Sequence, residues 1–185
     1  EALNGGTGVL DEYSYLVKKV VFQIDALPVV KLISALFTHA FFVVFMLVVF
    51  AVMGFYPDLY VLQVVYYSFC MVAFTAGLIY ATSAVTVFFR DMKEVVAILL
   101  QIGMWVTPIM WNFESMQGIP KWVVVLLKLN PMYYIVSGYR DALINKTAFW
   151  EHPGLTLWFW GITLFTLWAG TTVFKRLRVH FADVL

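Results

Sequence analysis

Apolar positions run through this chain in long uninterrupted blocks, and charged residues gather in the short gaps between them. Four blocks, residues 32–57, 59–89, 95–113 and 155–174, contain no Asp, Glu, Lys or Arg. A helix rises about 1.5 Å per residue and a bilayer core is ~30 Å thick, so roughly 20 apolar residues cross it. A charge left inside costs about 2.5–3.5 kcal/mol even on the mild insertion scale. The blocks therefore predict membrane-spanning helices over residues 32–56, 60–89, 95–112 and 155–174. The fold class is an all-α polytopic membrane protein, a single transmembrane domain over residues 1–185.

The remaining segments are too polar or too short to span. Residues 119–145 hold two apolar stretches separated by Lys128, Asn130 and Pro131. Read as one span, they would bury Lys128 in hydrocarbon. Asn is a favoured N-cap and Pro fits the first helical position, so Asn130-Pro131 starts a new helix, and Pro120 can open an earlier one. The segment is read as an external re-entrant helical hairpin, whose irregular backbone has to pack against protein. Near the N-terminus, Tyr13, Leu16, Val17, Val20 and Val21 keep helical spacing while Glu12, Lys18 and Lys19 lie off that face. This predicts an amphipathic helix over residues 10–23, with Gly5, Gly6 and Gly8 breaking the chain before it. Phe174, Leu177, Phe181 and Val184 mark one face of a basic tail, residues 175–185, lying along the inner surface.

Charge sets the orientation. With the N-terminal segment inside, Lys18, Lys19, Lys31, Arg90, Lys93, Lys175, Arg176 and Arg178 are cytoplasmic, and Lys121, Lys128, Arg140 and Lys146 are external. The larger inner set follows the positive-inside tendency. Composition agrees with a membrane protein: 63% of residues are hydrophobic, 12% are charged, and 7 Trp and 10 Tyr suit a chain with many membrane–water boundaries. A net charge of +1 with no basic stripe speaks against nucleic acid. Cys70 is alone, so it offers neither a disulfide nor a thiolate metal site, and it reads as a small core hydrophobe. The chain begins Glu1-Ala2-Leu3, without Met or a signal-like segment, so further chain is expected upstream.

Catalytic motifs are missing. There is no phosphate-binding GxxxxGK[ST] loop, HExxH pair or GxSxG elbow. The chain is therefore read as no enzyme, with no cofactor and no metal of its own. His39 is the ionisable residue within the spans; it reads as a neutral helix–helix hydrogen bonder or as a proton relay. Externally, Glu114, Arg140, Asp141, Glu151 and His152 form either a solvated rim, with Arg140 and Asp141 fixing the hairpin, or acid–base groups of a membrane glycosyl- or acyltransferase. A channel or secondary carrier is the third class. Thr107-Pro108 marks a kink or a gate in the third span. Arg90-Asp91-Met92-Lys93-Glu94 is a solvated turn or a docking knob for a cytoplasmic partner.

Several of these runs together resemble a known family. Phe88-Phe89-Arg90-Asp91, Gln101-Ile102, Thr107-Pro108-Ile109, the stretch from Leu127 to Ile135 and Gly138-Tyr139-Arg140-Asp141 are similar to the permease subunit of type-2 ABC exporters of cell-surface polysaccharides. The resemblance is nearest to the teichoic acid branch, which the C-terminal run Arg178–Leu185 also suggests, and next to the O-antigen branch. It covers nearly the whole chain. It implies six spans in the full protein, a bacterial plasma-membrane location, a permease homodimer, and a separate ABC-type ATPase carrying ATP and Mg. The cargo it implies is a lipid-linked anionic polysaccharide. It also implies that residues 10–23 are a cytoplasmic coupling helix. Tyr13, Tyr15, Leu16, Lys18, Lys19, Arg90, Asp91, Lys93 and Glu94 are then the ATPase-coupling contacts. Candidate residues of the substrate path or gate are Trp105, Thr107, Pro108, Trp111, Tyr133 and Tyr134, the rings offering faces on which sugars bind and slide.

Overall fold

The computed structural model of the chain describes residues 1–17, 23–54, 58–109 and 120–184, and every regular element among them is helical. Short helices α1 (Ala2–Thr7), α2 (Val9–Glu12) and α3 (Ser14–Val17) precede α4 (Ala26–Val52) and α5 (Gln63–Thr86). Then come α6 (Met92–Val106), α7 (Lys121–Leu129), α8 (Pro131–Arg140), α9 (Pro153–Leu177) and α10 (Phe181–Val184). Among the described residues, three helices are long and apolar enough to cross a membrane: Ala26–Val52, Leu59–Thr86 and Pro153–His180. At 27 or 28 residues each, they reach about 40 Å.

The third expected span behaves differently. Helix α6 has 15 residues, about 22 Å, which is short of the hydrocarbon thickness. Pro108 is the cause. Thr107 N–H still donates to Gly103 O at 2.8 Å, but Pro108 has no donor, and Ile109 N–H turns back to Thr107 O at 2.7 Å. Among the described residues Pro108 therefore ends the helix rather than kinking it, and residues 110–119 lie outside the described set.

The chain divides into two compact units. The first comprises Glu1–Val49, Val72–Ile98 and Thr163–Leu185. Its core is Val9, Leu10, Leu27, Ala84, Val87, Phe174 and Phe181, with Tyr13, Leu16, Ile24, Tyr80, Val173 and Leu177 packed around them. Three expectations change here. Gly5 and Gly6 do not break the chain; they sit inside α1, where Gly5 N–H donates to Glu1 O at 2.9 Å. A Cβ on Gly6 would lie 2.6 Å from Ile79 Cγ2, so glycine lets α1 lie flush on α5. The single helix expected over residues 10–23 is instead α2 and α3 with a break at Tyr13, because Leu16 N–H closes only a three-residue turn onto Tyr13 O, at 2.8 Å. Residues 18–22 lie outside the described set. The C-terminal tail also departs from a surface-lying helix. After Leu177 it tightens into a 3₁₀ turn, Arg178–His180, and Phe181 is fully buried against Phe174, ring centroids 5.5 Å apart.

Within this unit α5 and α9 cross at glycine. A Cβ on Gly77 would lie 2.7 Å from Leu167 N, and one on Gly170 would run into the Gly77 carbonyl oxygen. Helix α4 instead carries exposed Phe37, Phe41, Phe42 and Phe45, and none of its most apolar window is buried. Such a face suits lipid. His39 is half-buried within it.

The second unit comprises Phe50–Met71 and Leu99–Ile162. Residues 120–140 form two helices. The chain turns out of helical geometry at Asn130 (φ −68, ψ 119), whose side chain accepts from Met132 N–H at 3.0 Å, with Pro131 beginning α8. Leu127 and Tyr133, with Val123, Val124 and Leu155, form the local core. A π-helical turn, Asp141–Asn145, follows and ends at Lys146 in left-handed geometry, φ 56. Lys146 bridges to Asp58 at 2.8 Å, and its ammonium holds the Asp58 carboxyl below its ordinary pKa.

Candidate functional site

The candidate residues fall into two groups, one in each unit. In the first unit the N-terminal segment meets the turn before α6. Asp11 and Glu12 are consecutive, and consecutive helical residues point about 100° apart, so they reach different neighbours. Asp11 Oδ2 bridges to Lys93 Nζ at 2.8 Å, and Glu12 Oε2 to Lys31 Nζ at 2.8 Å. The Lys31 ammonium also sits 5.6 Å from the centroid of the Tyr13 ring. Tyr13 and Leu16 pack on the core, whereas Tyr15 is 59% exposed, its ring 6.3 Å from that of Tyr13. Arg90, Asp91 and Glu94 are exposed around the first turn of α6. Glu94 suits that helix start, where the dipole favours an anion. Lys18 and Lys19 lie outside the described residues.

The structure thus brings together the two segments that sequence singled out separately, through the pair Lys93–Asp11. Asp11, Glu12 and Lys31 were missed as site residues. Their sequence signal was an ordinary one, two adjacent carboxylates on a polar face. Below them, Arg178 bridges to Asp25, and Tyr80 OH donates to Asp25 O at 3.0 Å, joining the C-terminal tail and α5 to the start of α4.

In the second unit the candidate path residues separate. Trp105 is 68% exposed, Thr107 and Pro108 are buried, and Trp111 lies outside the described residues. Asn130 Nδ2 donates to Thr107 Oγ1 at 2.8 Å, so the residue capping α8 also fixes the end of α6. Tyr133 and Tyr134 are buried. The Tyr134 ring stacks on Phe159 at 4.8 Å and meets the Tyr67 ring nearly edge-on at 5.4 Å. Its hydroxyl lies in a polar chain: Trp160 Nε1–H donates to Tyr66 OH at 3.0 Å, Tyr66 OH is 3.2 Å from Tyr134 OH, and that is 3.0 Å from Thr156 Oγ1. Tyr139 OH pairs with Ser68 at 2.7 Å, and Gly138 admits the Tyr67 ring where a Cβ would collide with it.

Gln63 was overlooked. It is buried, and its amide clamps the loop before α9: Nε2 donates to Thr147 O at 3.0 Å, and Phe149 N–H donates to Oε1 at 2.7 Å. A lone Gln opening an apolar run carries no signal that it ties down backbone 84 residues away. Replacing it by leucine strands one carbonyl and one N–H, each costing roughly 1–3 kcal/mol when buried. Gln63→Leu is expected to lower the unfolding temperature clearly in detergent, where an unchanged melting curve would contradict the clamp.

The charged residues read from sequence as an outer rim make local contacts. Arg140 Nη2 donates to Ile109 O at 2.7 Å. Buried Asp141 accepts from Asn145 Nδ2 at 2.8 Å, and Glu151 Oε1 accepts from Ala148 N–H at 3.0 Å. Two of the three acids an external transferase would recruit thus serve local turns, and Glu114 lies outside the described residues.

Comparison with known proteins adds the family. A model described as ABC-2 type transporter matches residues 8–144, a range holding both groups above. An O-antigen export system permease protein of Myxococcus xanthus is 26% identical over 182 residues, 98% of this chain and 69% of the relative. One from Klebsiella pneumoniae is 27% identical over 175 residues, 92% of this chain and 64% of the relative. The chain thus spans about two thirds of the length of these curated relatives.

Proposed function

The chain belongs to the ABC-2 type transporter family, and we propose that it is the membrane-spanning permease subunit of an ATP-driven exporter of cell-surface polysaccharide. The observation that carries this is the pair of O-antigen export permeases aligned with nearly all of it. Those names favour O-antigen or a similar polysaccharide over wall teichoic acid, the branch to which the sequence motifs looked nearest. The cargo is a lipid-linked polymer crossing a bacterial plasma membrane. The permease works as a homodimer, in a full protein of six spans, with ATP and Mg held by a separate ABC-type ATPase.

In this reading the first unit faces the cytoplasm. ATP binding closes the ATPase subunits, which press on Tyr15, Lys18 and Lys19 and on Arg90, Asp91 and Glu94. The movement passes through α2 and α3 to the spans and opens the route. Trp105 and Trp111 offer rings to the polymer, Thr107-Pro108 forms the hinge of the gate, and Tyr133 and Tyr134 shape the wall through their packing. The hairpin of α7 and α8 lies on the external side. A transferase is disfavoured by the way Asp141 and Glu151 are engaged in local turns.

Charge reversal at Lys18 and Lys19 tests the coupling. The double variant Lys18→Glu/Lys19→Glu is expected to assemble normally yet export several-fold less polymer per ATP hydrolysed, in line with coupling factors of about 5–150 between linked sites. Undiminished export would count against the assignment.

A further inference from the structure

The ion pairs of the first unit suggest how such a push is divided. We infer that Asp11 and Glu12 are positioning residues, a two-pronged clasp that ties the short N-terminal helix α2 to α4 and to α6 so that the three move as one body. This rests on the exporter reading for its consequence, though not for its geometry.

Three observations support it. The two adjacent carboxylates take lysines from different helices, Lys31 of α4 and Lys93 of α6, each at 2.8 Å. Helix α2 is held from below as well, with Val9 and Leu10 0% and 1% exposed in the core. Gly8 lies against the stem of Lys93, where an added Cβ would come within 2.9 Å of Cε, so the lysine approaches the backbone of the α1–α2 junction closely.

The pairs are partly exposed, with side-chain exposures of 25% and 52% for Lys31–Glu12 and 43% and 20% for Lys93–Asp11. Exposed pairs add little to stability. Their effect is directional: with both pairs formed, α2 cannot swing towards one helix without pulling on the other. A helix of four residues has no stability of its own, so its orientation depends on such ties. Lys93, read from sequence as an ATPase contact, is thereby assigned to the clasp, and Arg90, Asp91 and Glu94 are left to face the partner.

The test uses the full-length permease with its ATPase, comparing wild type, Asp11→Lys, Lys93→Asp, Glu12→Lys and the swap Asp11→Lys/Lys93→Asp. Spin labels at Tyr15 and Glu94, in a Cys70→Ala background, report the distance distribution between α3 and α6; unlabelled proteins report polymer exported per ATP. The clasp predicts a narrow distribution in wild type and broad ones in the single variants, with export per ATP falling about tenfold. The swap should restore both. Narrow distances in the single variants, or a swap that rescues neither readout, would overturn the clasp. Broad distances with unchanged export per ATP would overturn its role in coupling. If wild type carries no ATPase, the exporter reading fails, while the distances still decide whether the clasp exists.

Discussion

Replacing Gly170 by leucine is expected to leave almost no folded protein to purify. At this position α9 lies directly on α5: a Cβ would meet the Gly77 carbonyl oxygen and come within 3.3 Å of Ala81 N. From the other side, a Cβ on Gly77 would be 2.7 Å from both Leu167 N and Thr166 C. All of these obstacles are backbone atoms, which cannot turn aside as a side chain can. Overpacking costs about 1–3 kcal/mol when neighbours can shift. Here relief requires the helices to part along the crossing, and in lipid close packing is what holds helices together. Gly161 is the control on the same helix, since nothing lies within 4 Å of its Cβ position. Gly161→Leu should behave as wild type or slightly better, because leucine is the stronger helix former. Fluorescence-detected gel filtration of detergent extracts separates the cases: aggregate or nothing for Gly170→Leu, a single sharp peak for Gly161→Leu. Equal peaks would contradict the crossing.

Phe181→Ala should be the most damaging change in the C-terminal tail, lowering stability by about 3–5 kcal/mol, the usual cost of emptying a buried aromatic site. Phe181 is fully buried, its ring 5.5 Å from Phe174 and 6.1 Å from Phe88, and Phe174 in turn packs on Tyr80 at 5.2 Å. Losing it opens the cluster that seats Val9 and Leu10, so the tail and α2 should loosen together. The readouts are a fall in unfolding temperature in detergent and faster tryptic cleavage near Arg178. Val179→Ala, at a position 70% exposed, should change neither. A tail that merely rested on a membrane would behave otherwise, its loss appearing in vesicle binding and leaving the melting temperature unmoved.

The sequence showed best what depends on composition and local chemistry. Long charge-free blocks became α4, α5 and α9, and Asn130-Pro131 starts a helix because the cap and the fixed proline φ act within a few residues. What depends on distant partners was hidden. Gly6 looked like a breaker but lies inside α1, where its missing Cβ leaves room for Ile79. Phe181 looked like one stripe of a surface helix because spacing says which residues share a face and not what covers that face. Tyr134 gave no sign in sequence of the Phe159 and Tyr67 rings that pack against it. The third block was apolar enough to span, yet a missing donor at Pro108 ends its helix after 15 residues. The two segments proposed to meet the ATPase were legible singly; the Asp11–Lys93 contact joins residues 82 apart in sequence, a pairing that no local pattern encodes.

The central claim is that this chain is the permease half of an ATP-driven polysaccharide exporter. Gentle affinity purification of the tagged full-length protein from native membranes, with identification of what travels with it, tests that most directly. The account predicts a stoichiometric ABC-type ATPase. A preparation free of any ATPase, under conditions that keep known membrane complexes intact, would contradict it.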